Sequence, residues 1–398
     1  MRILKVVQAY YPFQEKGGPV VKVRALARGL ARRGHDVTVL TADLGIAGRQ
    51  DPDMSFERCE WGWQSEEDGV KAVYVSTLAQ FRALTINPGV IGFSRSLHRG
   101  FDLVHCYGLY DLIGPVVSSS CRRQGVPYVV EPMGMFRPIV RNTWLKQLYH
   151  RLPGKAFLGS ARFLIATSNQ ERDELIGGHI PPDRIVVRRN GVEGPERLPE
   201  RGIFRRKWGI PENAKIVLYL GRLVSKKSPD LLIEAFAKWR KQSSHSVDSE
   251  LILAGPDEAD GYLPRLKKMA NDLGLHDAIR FVGPLFDDAK WQAYRDADVF
   301  VLPSQNENFA NTAGESAACG TPIIVTEACG IASFVKGAGL VVPHNSEELE
   351  RALGEILESP ARRERYQQGC AEMARSLSWT GPISDNEKLY RKCMSEMN

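Results

Sequence analysis

Residues 303–322 read PSQNENFANTAGESAACGTP, and this stretch has the most informative pattern in the chain. It follows the short apolar run Asp298–Pro303, whose length and closing proline predict a buried strand. Asn308, Asn311 and Thr312 are residue types that favour the start of a helix. A strand, a polar loop and a helix N-terminus in this order are typical of an anion site at the carboxyl edge of a parallel sheet.

Two carboxylates, Glu307 and Glu315, frame this loop, and we expect Glu315 in the first turn of the helix. Carboxylates repel a bare phosphate, but they accept hydrogen bonds from hydroxyl groups. A ligand that carries both phosphates and hydroxyls satisfies both features. The stretch therefore points to a sugar nucleotide, although two loop glutamates are also consistent with simple solvation.

Composition places the chain among water-soluble enzymes or binding proteins. Its 398 residues suffice for two domains with full cores. The seven cysteines are scattered without a CxxC pair, which disfavours a disulfide scaffold or structural zinc. The chain contains no run of about 18 uncharged apolar residues, so no membrane span is predicted. We also expect no secretory signal at the N-terminus. We therefore expect a cytoplasmic protein, and its net charge of +6 suits an anionic ligand or lipid surface.

Short apolar runs alternate with amphipathic segments through both halves of the chain. Val20–Arg33 is a predicted helix because Val23, Leu26 and Leu30 recur at helical spacing. The predicted strands are Ile3–Gln8, Val37–Thr41, Leu103–Cys106, Tyr128–Val130, Phe163–Ala166, Ile185–Val187, Ile216–Leu220, Leu251–Ala254, Ile279–Val282, Asp298–Leu302, Pro322–Val325 and Leu340–Val342. This alternation predicts an α/β protein with two doubly wound, Rossmann-like domains that face each other across a cleft.

A stretch without periodicity, Glu193–Arg201, is the predicted linker between the domains. The predicted division is residues 1–192 for the acceptor-side domain, 193–201 for the linker and 202–375 for the donor-side domain. Residues 376–398 contain a last helix, about Ile383–Met397, for which we hypothesise packing against the first domain.

Two further loops follow predicted strands and carry groups suited to phosphate. Gly17 and Gly18 precede the first helix and let a phosphate approach the backbone, although a tight turn explains them equally well. Arg222 and Lys227 follow Ile216–Leu220, the first predicted strand of the second domain. Arginine offers a planar fork for phosphate oxygens, and lysine adds a mobile point charge.

The pattern Asp296-Ala-Asp298 is reminiscent of an acidic metal site, but its residues fall at a predicted helix end and strand start. Hard cations need more oxygen ligands than this segment offers, so we expect no metal. His105 ends a predicted strand at the ligand edge and is a candidate catalytic or structural histidine. We expect Tyr107 to point to the opposite side of that strand.

Between Glu131 and Glu171 the chain has no acidic residue but several basic ones and an apolar stripe. Residues 137–155 are thus a candidate for peripheral contact with an anionic membrane, with an ordinary solvated helix as the alternative. A nucleic-acid groove is disfavoured, because the aromatic residues lie in the stripe and the net charge is modest.

Several segments, taken in order, match a known family. They are GGPVVKVRALARGLARRGHDVTVLT, LVHCYGLYD, VVEPMGMFRP, ATSNQERDEL, VVRRNGVE, LYLGRLVSKKSPDLLIEAF and ENFANTAGESAACGTPIIVT. Over nearly its whole length the chain resembles the family 4 retaining glycosyltransferases of the GT-B fold. The EPMGMFRP stretch is similar to that of members that build polysaccharide or O-antigen repeats on lipid carriers. For this chain we expect a cytoplasmic location, with the inner face of the cytoplasmic membrane as the place of any peripheral contact.

This resemblance implies transfer of a sugar from a UDP- or GDP-sugar to a glycan or lipid-linked acceptor, without metal or other cofactor. It implies that Glu307 binds donor-sugar hydroxyls, that Glu315 binds the ribose, and that Arg222 and Lys227 hold the diphosphate. Candidate catalytic residues are Arg222, Lys227, Glu307 and His105. Candidate donor-binding residues are Gly17, Gly18, Arg222, Lys227, Glu307, Asn308, Phe309, Ala310, Asn311, Thr312 and Glu315.

Three positions depart from the family pattern. Asn308 and Ala310 stand where glycine is usual, and Tyr107 replaces the second histidine of a His-x-His motif. Two other functions therefore stay open: a GT-B sugar-nucleotide epimerase, and a non-catalytic protein that binds sugar nucleotides or anionic lipid. A dehydrogenase is disfavoured because the chain lacks a GxGxxG fingerprint in the first βα turn.

Overall fold

The computed structural model describes residues 1–48, 54–81, 84–136, 149, 154–243, 248–257 and 261–395. The contacts divide the chain into two units. Unit 1 comprises Met1–Gly191 and Trp379–Asn398, and unit 2 comprises Val192–Ser378. The predicted linker residues 193–201 thus belong to unit 2.

The strands are β1 (Arg2–Val6), β2 (Asp36–Ala42), β3 (Glu57–Cys59), β4 (Gly62–Glu67), β5 (Val70–Val75), β6 (Ala79–Phe81), β7 (Leu84–Ile86), β8 (Leu103–Tyr107), β9 (Tyr128–Glu131), β10 (Phe163–Ala166), β11 (Ile185–Val187), β12 (Lys215–Leu220), β13 (Ser249–Ala254), β14 (Ile279–Gly283), β15 (Val299–Leu302), β16 (Ile323–Thr326) and β17 (Gly339–Val342).

The helices are α1 (Gly18–Ala31), α2 (Gly89–Phe93), α3 (Leu97–Gly100), α4 (Ile113–Gln124), α5 (Lys155–Gly159), α6 (Asn169–Gly177), α7 (Ile203–Trp208), α8 (Pro229–Gln242), α9 (Tyr262–Asp272), α10 (Asp287–Asp296), α11 (Asn311–Ala318), α12 (Ser346–Leu357), α13 (Pro360–Ser376) and α14 (Thr380–Ser395).

Each unit is organised by one main sheet. In unit 1 the strand order is β11-β10-β9-β8-β1-β2-β5-β4-β3, and in unit 2 it is β14-β13-β12-β15-β16-β17. The pairings are parallel except for β3–β4 and β4–β5. Central strands such as β12 are nearly continuous apolar runs because helices cover both faces of a parallel sheet. These features are the α/β, Rossmann-like architecture that the sequence predicts.

The order of the parallel strands reverses at one place in each sheet. In unit 1 the reversal lies between β1 and β8, and in unit 2 it lies between β12 and β15. Ligands of open parallel sheets bind outside the carboxyl ends of the strands at such a reversal. The loops after these four strands are therefore the first places to look for a site.

The last helix, α14, packs within unit 1 against α1. Gly29 of α1 faces Ile383, whose side chain would lie only 2.1 Å from an added Cβ atom. Arg33 donates a hydrogen bond to Glu387 across the same contact, at 3.1 Å. The absence of a side chain at Gly29 lets the two helices approach closely. Among the described residues, no helix combines the length and hydrophobicity needed to cross a bilayer.

Candidate active site

The loops after β12 and β15 meet at the reversal in unit 2. Lys227 closes a 3₁₀ turn, Ser225–Lys227, and Glu307 lies beyond β15. The Lys227 Nζ atom donates a hydrogen bond to Glu307 Oε2 at 2.6 Å. The side chains are 15% and 21% exposed, so the ion pair is shielded but still reachable from solvent. The structure thus brings together two residues that the sequence singles out separately.

Backbone hydrogen bonds hold Glu307 in place. Its N–H donates to the carbonyl of Ala328 at 3.0 Å, and its carbonyl accepts from Gly330 N–H at 2.9 Å. Gln305 N–H donates to the carbonyl of Lys226 at 3.0 Å, which ties this loop to the loop after β12. The carboxylate therefore extends from a rigid backbone, as a binding group requires.

Arg222 lies on the same edge of the sheet, directly after β12. The buried phenol of Tyr219 donates to the carbonyl of Arg222 at 2.7 Å, and Leu223 N–H donates to the carbonyl of Pro256 at 3.0 Å. The Arg222 residue itself is exposed. A fixed backbone with a long exposed side chain suits capture of an anionic ligand.

One of the departures from the family pattern, Ala310, lies directly before α11. Ala310 has φ +77° and ψ +60°, so it occupies the left-handed region that favours glycine. Asn308 is not among the described residues with positive φ. The strain in this loop therefore falls on Ala310. Phe309 is buried and anchors the loop against Phe334, with ring centroids 6.2 Å apart.

Helix α11 begins at Asn311 and presents its N-terminus on this edge of the sheet. The hydroxyl oxygen of Thr312 is buried and has no hydrogen-bond partner among the described residues. The N-terminal amides of a helix carry a partial positive charge that favours anions. This helix start, an exposed Arg222 and the Lys227 ammonium together supply positive charge at the carboxyl edge of unit 2.

Glu315 is the fifth residue of α11, which begins at Asn311, so it opens the second turn of the helix and not the first turn that the sequence predicts. Both of its carboxylate oxygens accept hydrogen bonds from α10. Lys290 Nζ donates to Oε1 at 2.8 Å, and Tyr294 Oη donates to Oε2 at 3.1 Å. Sequence reasoning missed both partners, although their spacing of four residues places them on one face of a helix.

In unit 1, His105 is fully buried on β8. Its Nδ1 atom lies 2.6 Å from the Tyr390 hydroxyl, and its ring stacks on Tyr107 with centroids 3.9 Å apart. The expectation that Tyr107 points away from His105 is wrong. The strand continues through Tyr107, and residues two apart on a strand share one face.

A buried charge cluster surrounds His105, and sequence reasoning did not identify it. Arg188 donates to Glu131 at 2.6 Å, and Lys22 forms a second ion pair with the same carboxylate. Lys5 Nζ donates to the Tyr107 hydroxyl at 2.6 Å. The signal was available, since Lys5 interrupts the apolar run of β1 and Lys22 lies on the face of α1 that carries Val23 and Leu26.

Burial sets the protonation states of this cluster. It lowers the pKa of His105 to about 3, although the Glu131 carboxylate, 3.6 Å from the His105 Nε2 atom, acts in the opposite direction. It also lowers the pKa of Lys22 to about 8. Burial opposes ionisation of Glu131, but the charges of Arg188 and Lys22 outweigh it and lower the pKa of that carboxyl. His105 is therefore a neutral imidazole at neutral pH, enclosed among other side chains.

Gly17 and Gly18 lie where the first helix of unit 1 starts. Gly17 has φ +87°, and its carbonyl accepts from Val20 N–H at 3.1 Å. An added Cβ atom at Gly17 would meet nothing within 4 Å, so its backbone conformation, and not crowding, is what calls for glycine here. The turn geometry and the open space are compatible with both readings of this loop.

The two aspartates of the DxD pattern make structural contacts. Asp296 ends α10 and accepts from Gly202 N–H at 2.6 Å and Arg205 N–H at 3.1 Å. Asp298 accepts from Ile216 N–H at 2.9 Å. Among the described residues no group of three histidine, cysteine, aspartate or glutamate side chains is arranged to hold a metal. The segment 137–155 lies mostly outside the described residues, since only 149, 154 and 155 of it are described.

Comparison with known proteins assigns both halves of the chain. The model for glycosyl transferases group 1 matches residues 200–373, and that for the glycosyl transferase 4-like domain matches residues 17–191. The D-inositol 3-phosphate glycosyltransferase of Acidothermus cellulolyticus is 30% identical over 408 residues, covering 96% of this chain and 87% of that protein.

Solved structures share the fold. The sucrose-phosphate synthase from Thermosynechococcus elongatus superposes with a TM-score of 0.74 at 22% identity, covering 99% of both chains. Anabaena HepE, solved with UDP and glucose, superposes with a TM-score of 0.76 at 17% identity, covering 98% of this chain and 100% of that one. The chain therefore belongs to the group 1 glycosyl transferases and is a glycosyltransferase of the GT-B fold.

Proposed function

We propose that the protein transfers a sugar from a UDP- or GDP-sugar to a glycan or lipid-linked acceptor, with retention of the anomeric configuration and without a metal. The observation that carries this proposal is the 2.6 Å contact between Lys227 and Glu307 at the strand reversal of unit 2. The contact supports the proposal because an ammonium suited to phosphate lies beside a carboxylate suited to hydroxyls. HepE, a GT-B neighbour, has been solved with UDP-glucose, which supports the class of donor.

The chemistry follows from where charge develops. Breaking the bond between sugar and diphosphate leaves an oxocarbenium-like sugar and increases negative charge on the leaving group. Arg222, Lys227 and the amides at the start of α11 stabilise that charge, and preorganised donors of this kind contribute about 3 kcal/mol each. Glu307 holds the sugar hydroxyls, and Glu315 holds the ribose.

Retention is proposed to arise by attack on the same face from which the diphosphate leaves. His105 is fully enclosed and Glu131 is paired with two cations, so neither offers a free nucleophile within unit 1. The leaving phosphate itself then assists deprotonation of the acceptor hydroxyl. The proposed absence of a metal is supported by the structural use of Asp296 and Asp298.

The acceptor has a second candidate. Relatives 28–31% identical to this chain are named D-inositol 3-phosphate glycosyltransferases, which favours a phosphorylated cyclitol. We retain the glycan or lipid-linked acceptor because of the EPMGMFRP stretch, together with a cytoplasmic location at the inner membrane face. An acceptor assay with D-inositol 3-phosphate and with lipid-linked oligosaccharide separates the two candidates.

The test of the proposal is a nucleotide-release assay with a panel of UDP- and GDP-sugars, with each acceptor class, in the presence and absence of EDTA. Product anomers are assigned by proton NMR. We expect release that depends on an acceptor, is unaffected by EDTA and yields the donor's own anomer. Loss of activity in EDTA would refute metal independence. Interconversion of sugar nucleotides without an acceptor would favour an epimerase, and binding without release would favour a non-catalytic protein.

A further inference from the structure

The carboxylate of Glu315 is held by a side-chain donor on each of its two oxygens. Its side chain is 12% exposed, and each oxygen accepts one hydrogen bond from a different donor. A carboxylate offers about four lone-pair positions, so two remain after Lys290 and Tyr294 are satisfied. Two free acceptor positions on one fixed carboxylate match two neighbouring hydroxyls.

Tyr294 is itself immobilised. It is fully buried, its ring packs edge-on against Phe300 at 5.6 Å, and its carbonyl accepts from the Thr321 hydroxyl at 2.6 Å. Burial raises the pKa of Tyr294 well above its ordinary value, and the charge of Glu315 raises it further. The phenol therefore stays protonated and donates to the carboxylate.

Lys290 supplies the second donor and the balancing charge. It lies one helical turn before Tyr294 on α10, and its ammonium also sits over the ring of Trp291, 4.2 Å from the centroid. Its side chain is 19% exposed, so the pair with Glu315 is partly shielded from water. The Lys290 ammonium is held by the Trp291 ring as well as by Glu315, so it restricts the rotamers that the Glu315 side chain can adopt.

We propose that Lys290 and Tyr294 are positioning residues that aim the Glu315 carboxylate at the two vicinal hydroxyls of the donor's ribose. The proposal rests on the proposed function, in which Glu315 binds the ribose. It adds that selection of ribose over deoxyribose depends on α10 as well as on α11. The ligand class is a ribonucleoside diphosphate.

The test measures dissociation constants by calorimetry for UDP and 2′-deoxy-UDP, and in parallel for GDP and 2′-deoxy-GDP. For the wild type we expect the ribonucleotide to bind about tenfold more tightly, the preference that one charge-assisted hydrogen bond supports. Lys290→Met and Tyr294→Phe are expected to bring this ratio below about threefold, and Lys290→Arg to restore most of it.

Matched controls remove the same kinds of contact elsewhere in unit 2. Lys238 donates to Glu347 at 2.6 Å, and Tyr366 donates to Glu355 at 2.8 Å. Lys238→Met and Tyr366→Phe are expected to keep the wild-type ratio. Thermal unfolding of each variant identifies any loss of folding, and if Tyr294→Phe does not fold, the partly exposed Lys290 decides the question.

The failures of the two ideas differ. If Glu315→Gln loses the ribose preference while Lys290→Met and Tyr294→Phe keep it, the positioning role is refuted and the proposed function stands. A wild type that binds neither UDP nor GDP refutes the proposed function, and the inference falls with it. A wild type that binds a ribonucleotide and its 2′-deoxy analogue equally well refutes the ribose role of Glu315 and this inference. It does not refute glycosyl transfer.

Discussion

Ala310 shows at the scale of one residue how a sequence rule can locate strain. The family pattern marks its position as one where glycine is usual, and the structure places it in the left-handed region with φ +77°. A side chain there costs about 1–2 kcal/mol. Ala310 thus places a strained residue directly before the first residue of α11.

Ala310→Gly is therefore expected to stabilise the protein by up to about 1 kcal/mol, since relief of strain exceeds the added entropy of the unfolded chain. The measurement is the midpoint of thermal unfolding. Ala317→Gly is the matched control, because Ala317 is equally buried but lies within α11. It is expected to destabilise by about 1 kcal/mol. Equal destabilisation in both variants would show that Ala310 is not strained.

Arg222 and Lys227 supply a second prediction at this scale. In the proposed mechanism, replacing either by alanine removes a preorganised positive group from the leaving diphosphate, so we expect kcat to fall by about two orders of magnitude. Lys227→Ala also leaves Glu307 without its partner, so its effect and that of Glu307→Gln are expected to be non-additive. The readout is steady-state nucleotide release.

The control for these variants is Lys268→Ala, which removes an exposed lysine of α9 that pairs with Asp272. Its kcat is expected to stay within a few-fold of wild type. Should Arg222→Ala and Lys227→Ala behave like this control, charge stabilisation by the loop after β12 would play no part in catalysis.

At the scale of elements, the sequence predicts the central strands well and the edge of unit 1 poorly. Strands such as β12 and β15 are short apolar runs, which a parallel sheet covered on both faces requires. By contrast, β3 and β4 are polar and partly exposed, and β4 reads GWQSEE. Their strand conformation comes from antiparallel pairing, of β4 with β5 and of β3 with β4, and local periodicity does not encode these contacts between segments.

The same distinction explains what was found at the site. Lys227 and Glu307 each follow a predicted strand, so the topology rule alone brings them to one edge. Lys290 and Tyr294 lie in the middle of a helix, and their contact with Glu315 depends on how α10 packs beside α11. Packing between helices depends on the whole unit, and no local pattern in the sequence predicts it.

Two helical glycines of unit 2 make helix packing testable. An added Cβ atom at Gly369 of α13 would lie 1.9 Å from the carbonyl oxygen of Gly337, whereas at Gly354 of α12 the nearest atom is 3.6 Å away. Gly354→Ala is expected to stabilise by up to about 1 kcal/mol through helix propensity. Gly369→Ala is expected to destabilise by about 1–3 kcal/mol, because backbone must shift.

Thermal unfolding of the two variants is the measurement, and each serves as the control of the other, since both exchange a helical glycine for alanine. A stabilising Gly369→Ala would mean that α13 is not held against the Gly337 loop as described.

At the scale of the whole molecule, the two units differ in where their charges lie. In unit 2 the ion pairs of the candidate site, Lys227–Glu307 and Lys290–Glu315, are partly exposed and within reach of solvent. Unit 1 buries its cluster, and the cluster connects elements that are far apart in sequence. Lys5 comes from β1, His105 from β8 and Glu131 from β9, while Tyr390 comes from α14 near the end of the chain. One face of the last helix thus packs into the interior of unit 1.

This cluster predicts that the stability of unit 1 falls in acid. The pKa of His105 is lowered to about 3 in the folded state from an ordinary value of 6.5. Between those values the unfolded chain binds a proton that the folded chain does not, so stability decreases as pH falls from 6.5 towards 3. The pKa of Glu131 is also lowered in the folded state. Below its ordinary value of 4.5, the folded protein therefore loses further stability, because protonation of Glu131 removes its ion pairs with Arg188 and Lys22.

The measurement is the temperature of unfolding from pH 8 to pH 4, for the wild type and for His105→Gln. Glutamine keeps a polar group beside the Tyr390 hydroxyl but does not titrate, so the variant is expected to be less stable at pH 8 and to lose less on acidification. His276→Gln is the control, because the His276 side chain is 66% exposed and lies 3.0 Å from the exposed carboxylate of Asp277. It should follow the wild-type curve. If His105→Gln shows the same fall between pH 6.5 and pH 4 as the wild type, burial of a neutral His105 does not govern the acid stability of this unit.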